Sequence, residues 1–229
     1  MKKLILVFGA DGYVATSFMK KYAEEYDFLP VFGPSTIDKL GSDSLLCVDM
    51  TKDDIDVQMR SVANRVKTLD RKINGILFLQ GVDPSTGIQA TDREHFVKMM
   101  TVNLYGPMSA IRTMAPLYDN NAAICFVSSV SVMKGSYDPS YCCSKTAIDG
   151  LIKCINNNFI NLRANAVMPG LIEGSPVHMG MTSDFVDRHL SLMNGSLIKV
   201  SDVCEVLRTF IENESMRETI VPLHRGMRG

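Results

Sequence analysis

The sequence predicts an α/β fold: one doubly wound parallel sheet of about seven strands with helices on both faces, as a single Rossmann-type domain over residues 1–229. Two observations predict it. Short continuous apolar runs alternate with longer stretches of three- and four-residue apolar spacing, which is how buried parallel strands and their crossover helices read. A single sheet of this kind can absorb 229 residues, and no Pro/Gly/Ser-rich linker or repeat divides them.

The strand runs are residues 4–8, 28–32, 44–48, 75–79, 122–127, 164–167 and 219–221, all brief and apolar or β-branched. Residues 13–25, 53–68, 93–117, 140–158 and 201–213 carry the helical spacing between them. Thr91-Asp-Arg-Glu94 fits a capping box, Ser201 is placed to cap the last helix, and Pro139 just precedes the helix containing Tyr141. Strand and helix in alternation force parallel pairing and right-handed crossovers. Ligands in such sheets bind beyond the carboxyl ends of the strands, near the reversal of strand order.

Composition excludes several classes. Apolar residues are 46%, charged residues 21% and net charge is −1, which argues against a disordered chain and against a nucleic-acid partner. Gly9, Asp11 and Gly12 interrupt the first apolar run too early for a secretion signal, and no run approaches the roughly 20 apolar residues of a membrane span. A soluble, cytoplasmic protein without membrane contact is expected. Cys47, Cys125, Cys142, Cys143, Cys154 and Cys204 show no C-x-x-C pair and the four histidines lie far apart, so neither a disulfide framework nor a metal site is expected. The cysteines read as small buried hydrophobes.

After the first strand, Gly9-Ala-Asp11-Gly12-Tyr13-Val14-Ala15 puts small residues at the first, fourth and seventh positions. These permit a tight turn, close approach of the backbone to a pyrophosphate, and helix packing, with the positive end of the helix facing the ligand. Asp49, followed by Met50 at the end of the third strand, can accept from an adenine amino group; a surface acid or a helix cap is the equal alternative. The end of the second strand has neither the acid that binds ribose hydroxyls nor an arginine for a 2′-phosphate. NAD and NADP both stay open there, and Ser35, Thr36 and Lys39, which can donate to a phosphate, tilt the balance to NADP.

The fifth strand runs into Ser128-Ser129, and Tyr141 with Lys145 one helical turn further on follows. An ammonium beside the phenol, together with an oxidised nicotinamide, favours the phenolate and makes the pair a proton relay. Ser129 is placed to orient a substrate oxygen while hydride passes to or from the nicotinamide. A Tyr-x-x-x-Lys pair alone is common. The ordered set of phosphate turn, serine and pair points to interconversion of a small secondary alcohol and a ketone.

This set resembles the short-chain dehydrogenase/reductase family over residues 4–221. The resemblance implies that Asn103, in Val102-Asn-Leu-Tyr-Gly106, anchors a water leading from the lysine to solvent, and that Ser129, Tyr141 and Lys145 complete the catalytic set, with Ser128 the alternative serine. It implies a sixth strand ending in Pro169-Gly170, with Ile172 meeting the nicotinamide carboxamide, and a homodimer or homotetramer built on the helices at 93–117 and 140–158. Those helices carry Met99, Met100, Met114, Ile148, Leu151, Ile152 and Ile155, more apolar residues than one buried stripe requires.

The chain also departs from the family. Gly9-x-x-Gly12-x-x-Ala15 is one residue shorter than the usual spacing, Gln80-Gly81 stands where many members have Asn-Asn-Ala-Gly, and Gly174 replaces a threonine whose hydroxyl Ser175 or Thr182 could substitute. Residues 171–195, rich in methionine, read as a substrate lid. A catalytically silent dinucleotide-binding or sensor module, and a nucleotide-sugar-modifying enzyme, are the alternatives. The first draws on Gln80-Gly81 and the second on the glycine spacing.

Overall fold

The computed structural model describes residues 1–34, 36 and 46–226. In chain order the strands are β1 (Lys3–Phe8), β2 (Tyr26–Val31), β3 (Ile73–Phe78), β4 (Tyr118–Val127), β5 (Leu162–Pro169) and β6 (Ile220–Leu223). The helices are α1 (Tyr13–Lys21), α2 (Ile55–Lys67), α3 (Arg93–Met100), α4 (Gly106–Met114), α5 (Ser131–Lys134), α6 (Pro139–Asn158), α7 (Pro176–Met179), α8 (Ser183–Leu192) and α9 (Val200–Glu212). A π-helical turn, Thr101–Tyr105, joins α3 to α4, and a 3₁₀ turn, Ala115–Leu117, follows α4.

The six strands among the described residues are all parallel, in the order β2-β1-β3-β4-β5-β6. The order reverses beside β1, which is where such sheets open a crevice. The expected strand at 44–48 lies partly outside the described residues. Its described end makes an isolated parallel bridge, Cys47 to Phe32, continuing the sheet beyond β2.

Alternation along β1 sorts the two cores. Leu4, Leu6 and Phe8 pack on one face with Met59, Val62 and Val66 of α2, Ile111 of α4 and Ile148, Ile152 and Ile155 of α6. Ile5 and Val7 pack on the other with Phe18 of α1 and Val203, Leu207 and Phe210 of α9. At the carboxyl ends of three adjacent strands, Phe8, Phe78 and Phe126 stack in register, with ring centroids 5.2 and 5.1 Å apart. Each buried ring contributes about 2–3 kcal/mol. Together they form a rigid floor under the strand ends.

Several expectations need correction. The segment at 93–117 is interrupted by the π turn that carries Asn103. Asp92, not Thr91, caps α3, accepting from the His95 amide, and Lys199, not Ser201, stands at the cap of α9 without a side-chain bond. Met99, Met114, Ile148, Ile152 and Ile155 are consumed by the chain's own core; the exposed apolar residues of this region are Phe96, Val97, Tyr105 and Met108. Only Cys125 and Cys204 are buried, while Cys143 and Cys154 are exposed, and no disulfide is formed among the described residues. No described helix is long and apolar enough to cross a membrane.

Candidate functional site

A cavity of about 950 Å³ opens beyond the carboxyl ends of the strands. One end is the turn after β1. Gly9 has φ +71°, and a Cβ there would lie 2.6 Å from the Gln80 nitrogen, so only glycine lets this turn touch the end of β3. Gly12 caps α1 with no side-chain bond, and the first turn of α1 holds no acid, leaving the positive helix end facing the cavity. This glycine cradle under an uncapped helix, open to the cavity, fits the pyrophosphate of a dinucleotide.

Of the residues expected to hold the cofactor, Gly9, Asp11, Gly12, Tyr13, Val14, Asp49, Met50, Gln80, Gly81, Tyr141, Lys145, Pro169, Gly170 and Ile172 line this cavity. Ala15 does not; it is fully buried between α1 and the sheet, where its smallness serves packing. Ser35 and Lys39 lie outside the described residues. Thr36 donates its hydroxyl to the Asp11 carboxylate, so it is already engaged. Asp49 accepts from the amide and hydroxyl of Thr51, at 3.0 and 2.6 Å, and Asp54, not Asp49, stands at the cap of α2. Tyr13 reaches across the cavity mouth and donates to the Glu173 carbonyl at 3.1 Å.

Ser129, Tyr141 and Lys145 lie at the other end. The Ser129 oxygen also accepts from the Ser131 amide at 3.1 Å, which fixes it at the entry to α5. Ser128 turns away and donates to the Lys145 carbonyl at 3.4 Å. Burial pushes the Tyr141 phenol above its ordinary value; a hydrogen bond with Ser129 draws it back and the Asp83 charge pushes it up again. The Lys145 amine, buried, is pushed down to about 8, with Asp83 opposing. Its Nζ stands 5.8 Å from the centroid of the Tyr141 ring and donates to the Val127 carbonyl at 2.9 Å. The sequence predicts that the amine together with an oxidised nicotinamide favours the phenolate; in the protein alone burial dominates both groups.

Asn103 is not on the cavity wall. It is buried in the π turn, where its amide donates to Ser144 Oγ at 3.0 Å, and Ser144 donates to the Tyr141 carbonyl at 2.9 Å. Its Oδ1 is buried without a partner. A Cβ on Gly81 would stand 3.8 Å from Lys145 Nζ and 4.0 Å from that oxygen, so the glycine separates the two. Gln80 donates to the Val102 carbonyl at 3.3 Å while its own Oε1 has no partner. Of the hydroxyls offered in place of the missing threonine, Ser175 lines the cavity but is used to cap α7, accepting from the His178 amide at 3.2 Å.

Sequence reasoning missed Asp138. Its carboxylate is fully buried and accepts from the amides of Tyr141 and Ser85, both at 3.0 Å, from the Thr86 amide at 3.4 Å and from His95 Nε2 at 2.8 Å. Burial works to raise its pKa, and these donors outweigh burial and hold it below the ordinary range. One side chain thus fixes the start of α6, the loop after β3 and α3 around Tyr141. Aspartate followed by proline at the first helical position was the available signal; nothing in the sequence paired it with His95.

The fold and this cavity define a dinucleotide-binding class of protein. Within it, a sequence model described as enoyl-(acyl carrier protein) reductase matches residues 35–215, and the chain belongs to the short-chain dehydrogenase/reductase family of oxidoreductases. It is 28% identical over 142 residues to asnovolin H dehydrogenase of Aspergillus novofumigatus (strain IBT 16806); the match covers 59% of this chain and 55% of that protein, so the chain spans about half of that relative's length. Among solved structures it is similar in fold to a short-chain dehydrogenase/reductase (glucose/ribitol dehydrogenase) from Brucella melitensis, with TM-score 0.84, 16% identity and full coverage of both chains. It is similar to an angucycline C-6 ketoreductase with bound NADP, at TM-score 0.81 and 17% identity over 98% of this chain and 95% of that one. A 4-hydroxyisoleucine dehydrogenase complexed with NADH matches at TM-score 0.80 and 19% identity over 99% and 98%.

Proposed function

We propose that the chain is an NAD(P)-dependent oxidoreductase that interconverts a small secondary alcohol and a ketone, with Tyr141 as general acid and base. The observation that carries this reading is that Ser129, Tyr141 and, one helical turn on, Lys145 share the wall of the same cavity that the glycine turn closes. A bound nicotinamide supplies the hydride. The turn from Gly9 to Val14 with the first turn of α1 would hold its pyrophosphate, Asp49 and Met50 would hold its adenine end, and Gln80, Gly81, Pro169, Gly170 and Ile172 would hold its nicotinamide half.

In the reducing direction the substrate oxygen accepts from Ser129 and Tyr141, and the phenol proton passes to that oxygen as the carbonyl carbon gains hydride. Lys145, whose amine burial pushes down to about 8, replaces the proton on Tyr141. The unpartnered Asn103 Oδ1 near Lys145 Nζ is a seat for a water that replenishes the amine. Residues 171–195, holding α7 and α8, act as the lid of a single domain. Neighbours hold either NADP or NADH, and the choice here rests on residues around Ser35. Exposed Phe96, Val97, Tyr105 and Met108 support a homo-oligomer.

The test is turnover of a ketone panel with NADPH or NADH, followed by nicotinamide absorbance, for the parent and Tyr141→Phe. A fall of at least about a hundredfold in the variant is expected. A variant as active as the parent removes Tyr141 from the mechanism. Tight cofactor binding with no turnover of any ketone selects the silent binding module, which the altered Gln80 environment favours.

A further inference from the structure

The half of the cavity beyond Ser129 carries charge that the proposed chemistry does not use. Lys134, the last residue of α5, and Arg188 and His189 of α8 line it together. Among the described residues neither Lys134 nor Arg188 forms an ion pair with a carboxylate. His189 Nδ1 is buried with no partner. The acids of the cavity stand elsewhere: Asp11 is bonded to Thr36, Asp49 to Thr51, and Asp83 faces Lys145.

The two cations feel each other. Burial and the Arg188 charge hold the Lys134 amine below its ordinary value. Burial, then Lys134, then Arg188 hold the His189 ring below its own. Unpaired like charges held on one concave wall repel each other until an anion joins them, and a guanidinium presents a fork that matches a carboxylate with two parallel bonds. Lys134 is only one short helix beyond Ser129, so an anion seated here lies within a small molecule's length of the reacting centre.

We infer that the substrate of this site is an oxo acid or hydroxy acid whose carboxylate is held by Lys134, Arg188 and the His189 ring while its carbonyl or hydroxyl meets Ser129 and Tyr141. This rests on the oxidoreductase reading above and names its substrate class. The neutral His189 ring donates one further hydrogen bond, and α8 carries the anion-binding groups on the lid, so docking of the carboxylate draws the lid onto the substrate.

The experiment compares kcat/KM for short oxo acids and for their methyl esters, in the parent and in the Lys134→Gln/Arg188→Gln double variant of the full chain. Both positions are solvent-exposed, so the substitutions spare the core. The parent is expected to prefer acid over ester by at least about tenfold, and the variant to lose most of that preference. NADPH affinity, read by nicotinamide fluorescence, is measured alongside. No preference in the parent, or a preference that survives in the variant, overturns the inference. So does a tenfold loss of NADPH affinity with the preference intact, which assigns the cations to the dinucleotide. If no ketone turns over at all, the oxidoreductase reading fails, and calorimetric titration of the same oxo acids into the NADPH-saturated protein decides the subsite separately: binding that the double variant loses supports it, and absent binding overturns it.

Discussion

Lys145 donates to the main-chain carbonyl of Val127, the last residue of β4, across 2.9 Å, and so ties the helix carrying Tyr141 to the centre of the sheet. The same burial that aims this amine depresses its pKa to about 8. In the unfolded chain the lysine titrates near 10.5. Below pH 8 both states carry the proton and the folded state holds a buried charge; between pH 8 and 10.5 the unfolded state binds more protons, so stability rises with pH across that window. Replacing Lys145 with methionine is therefore expected to stabilise the protein at pH 7 by about 1–3 kcal/mol, a gain that fades toward pH 10.5, while turnover is lost. Urea unfolding of both proteins at several pH values checks the sign.

Asp138→Ala removes the cap of α6 and leaves the amides of Ser85 and Tyr141 and the His95 ring without their acceptor. A loss of about 2–4 kcal/mol is expected from a buried acceptor of this kind. The Asp138 pKa is lowered in the folded state, so its contribution is fully present above the ordinary carboxylate range and is lost as pH falls below it. The stability gap between parent and variant should be constant near neutrality and narrow in acid, as followed by denaturant midpoints.

Gly9→Ala puts a Cβ at φ +71° and 2.6 Å from the Gln80 nitrogen. Backbone on both sides must shift, at about 1–3 kcal/mol. Thermal melts should show a lower Tm, and a dinucleotide that raises the parent's Tm should raise the variant's far less, because the cradle and the end of β3 no longer meet.

Arg163, buried on β5, donates to the carbonyls of Asn121, Phe210, Ile211, Asn213 and Met216. It holds the end of α9 and the approach to β6 against the sheet. Arg163→Met should destabilise by about 3–5 kcal/mol, since several buried acceptors are orphaned at once, and protease cleavage of the native protein should shift into residues 213–219.

The glycine turn, the serine and the Tyr141–Lys145 pair were legible as neighbours of one cavity because each depends on local rules: small residues at a turn, a helical repeat, a strand ending where apolar residues stop. Asp138 with His95 was not legible, since the two lie 43 residues apart and meet only when α3 and α6 pack. The apolar excess of α3 to α6 misled for a related reason. Periodicity counts apolar residues but does not tell how much of a helix the sheet covers, and Met99, Met114, Ile148, Ile152 and Ile155 all face inward. The cation cluster of Lys134, Arg188 and His189 was hidden by the same distance.

By itself the sequence determined the parallel α/β sheet, the position of the glycine turn after its first strand and the order in which the serine, phenol and amine follow, because these arise from spacing along one chain. Tertiary structure decided what those groups are chemically. Burial and Asp83, brought in from the loop after β3, set the protonation of Tyr141 and Lys145, and the fold brings the unpaired cations of α5 and α8 to the wall of one cavity. Charge and solvation depend on distances through space, which no local pattern of residues encodes.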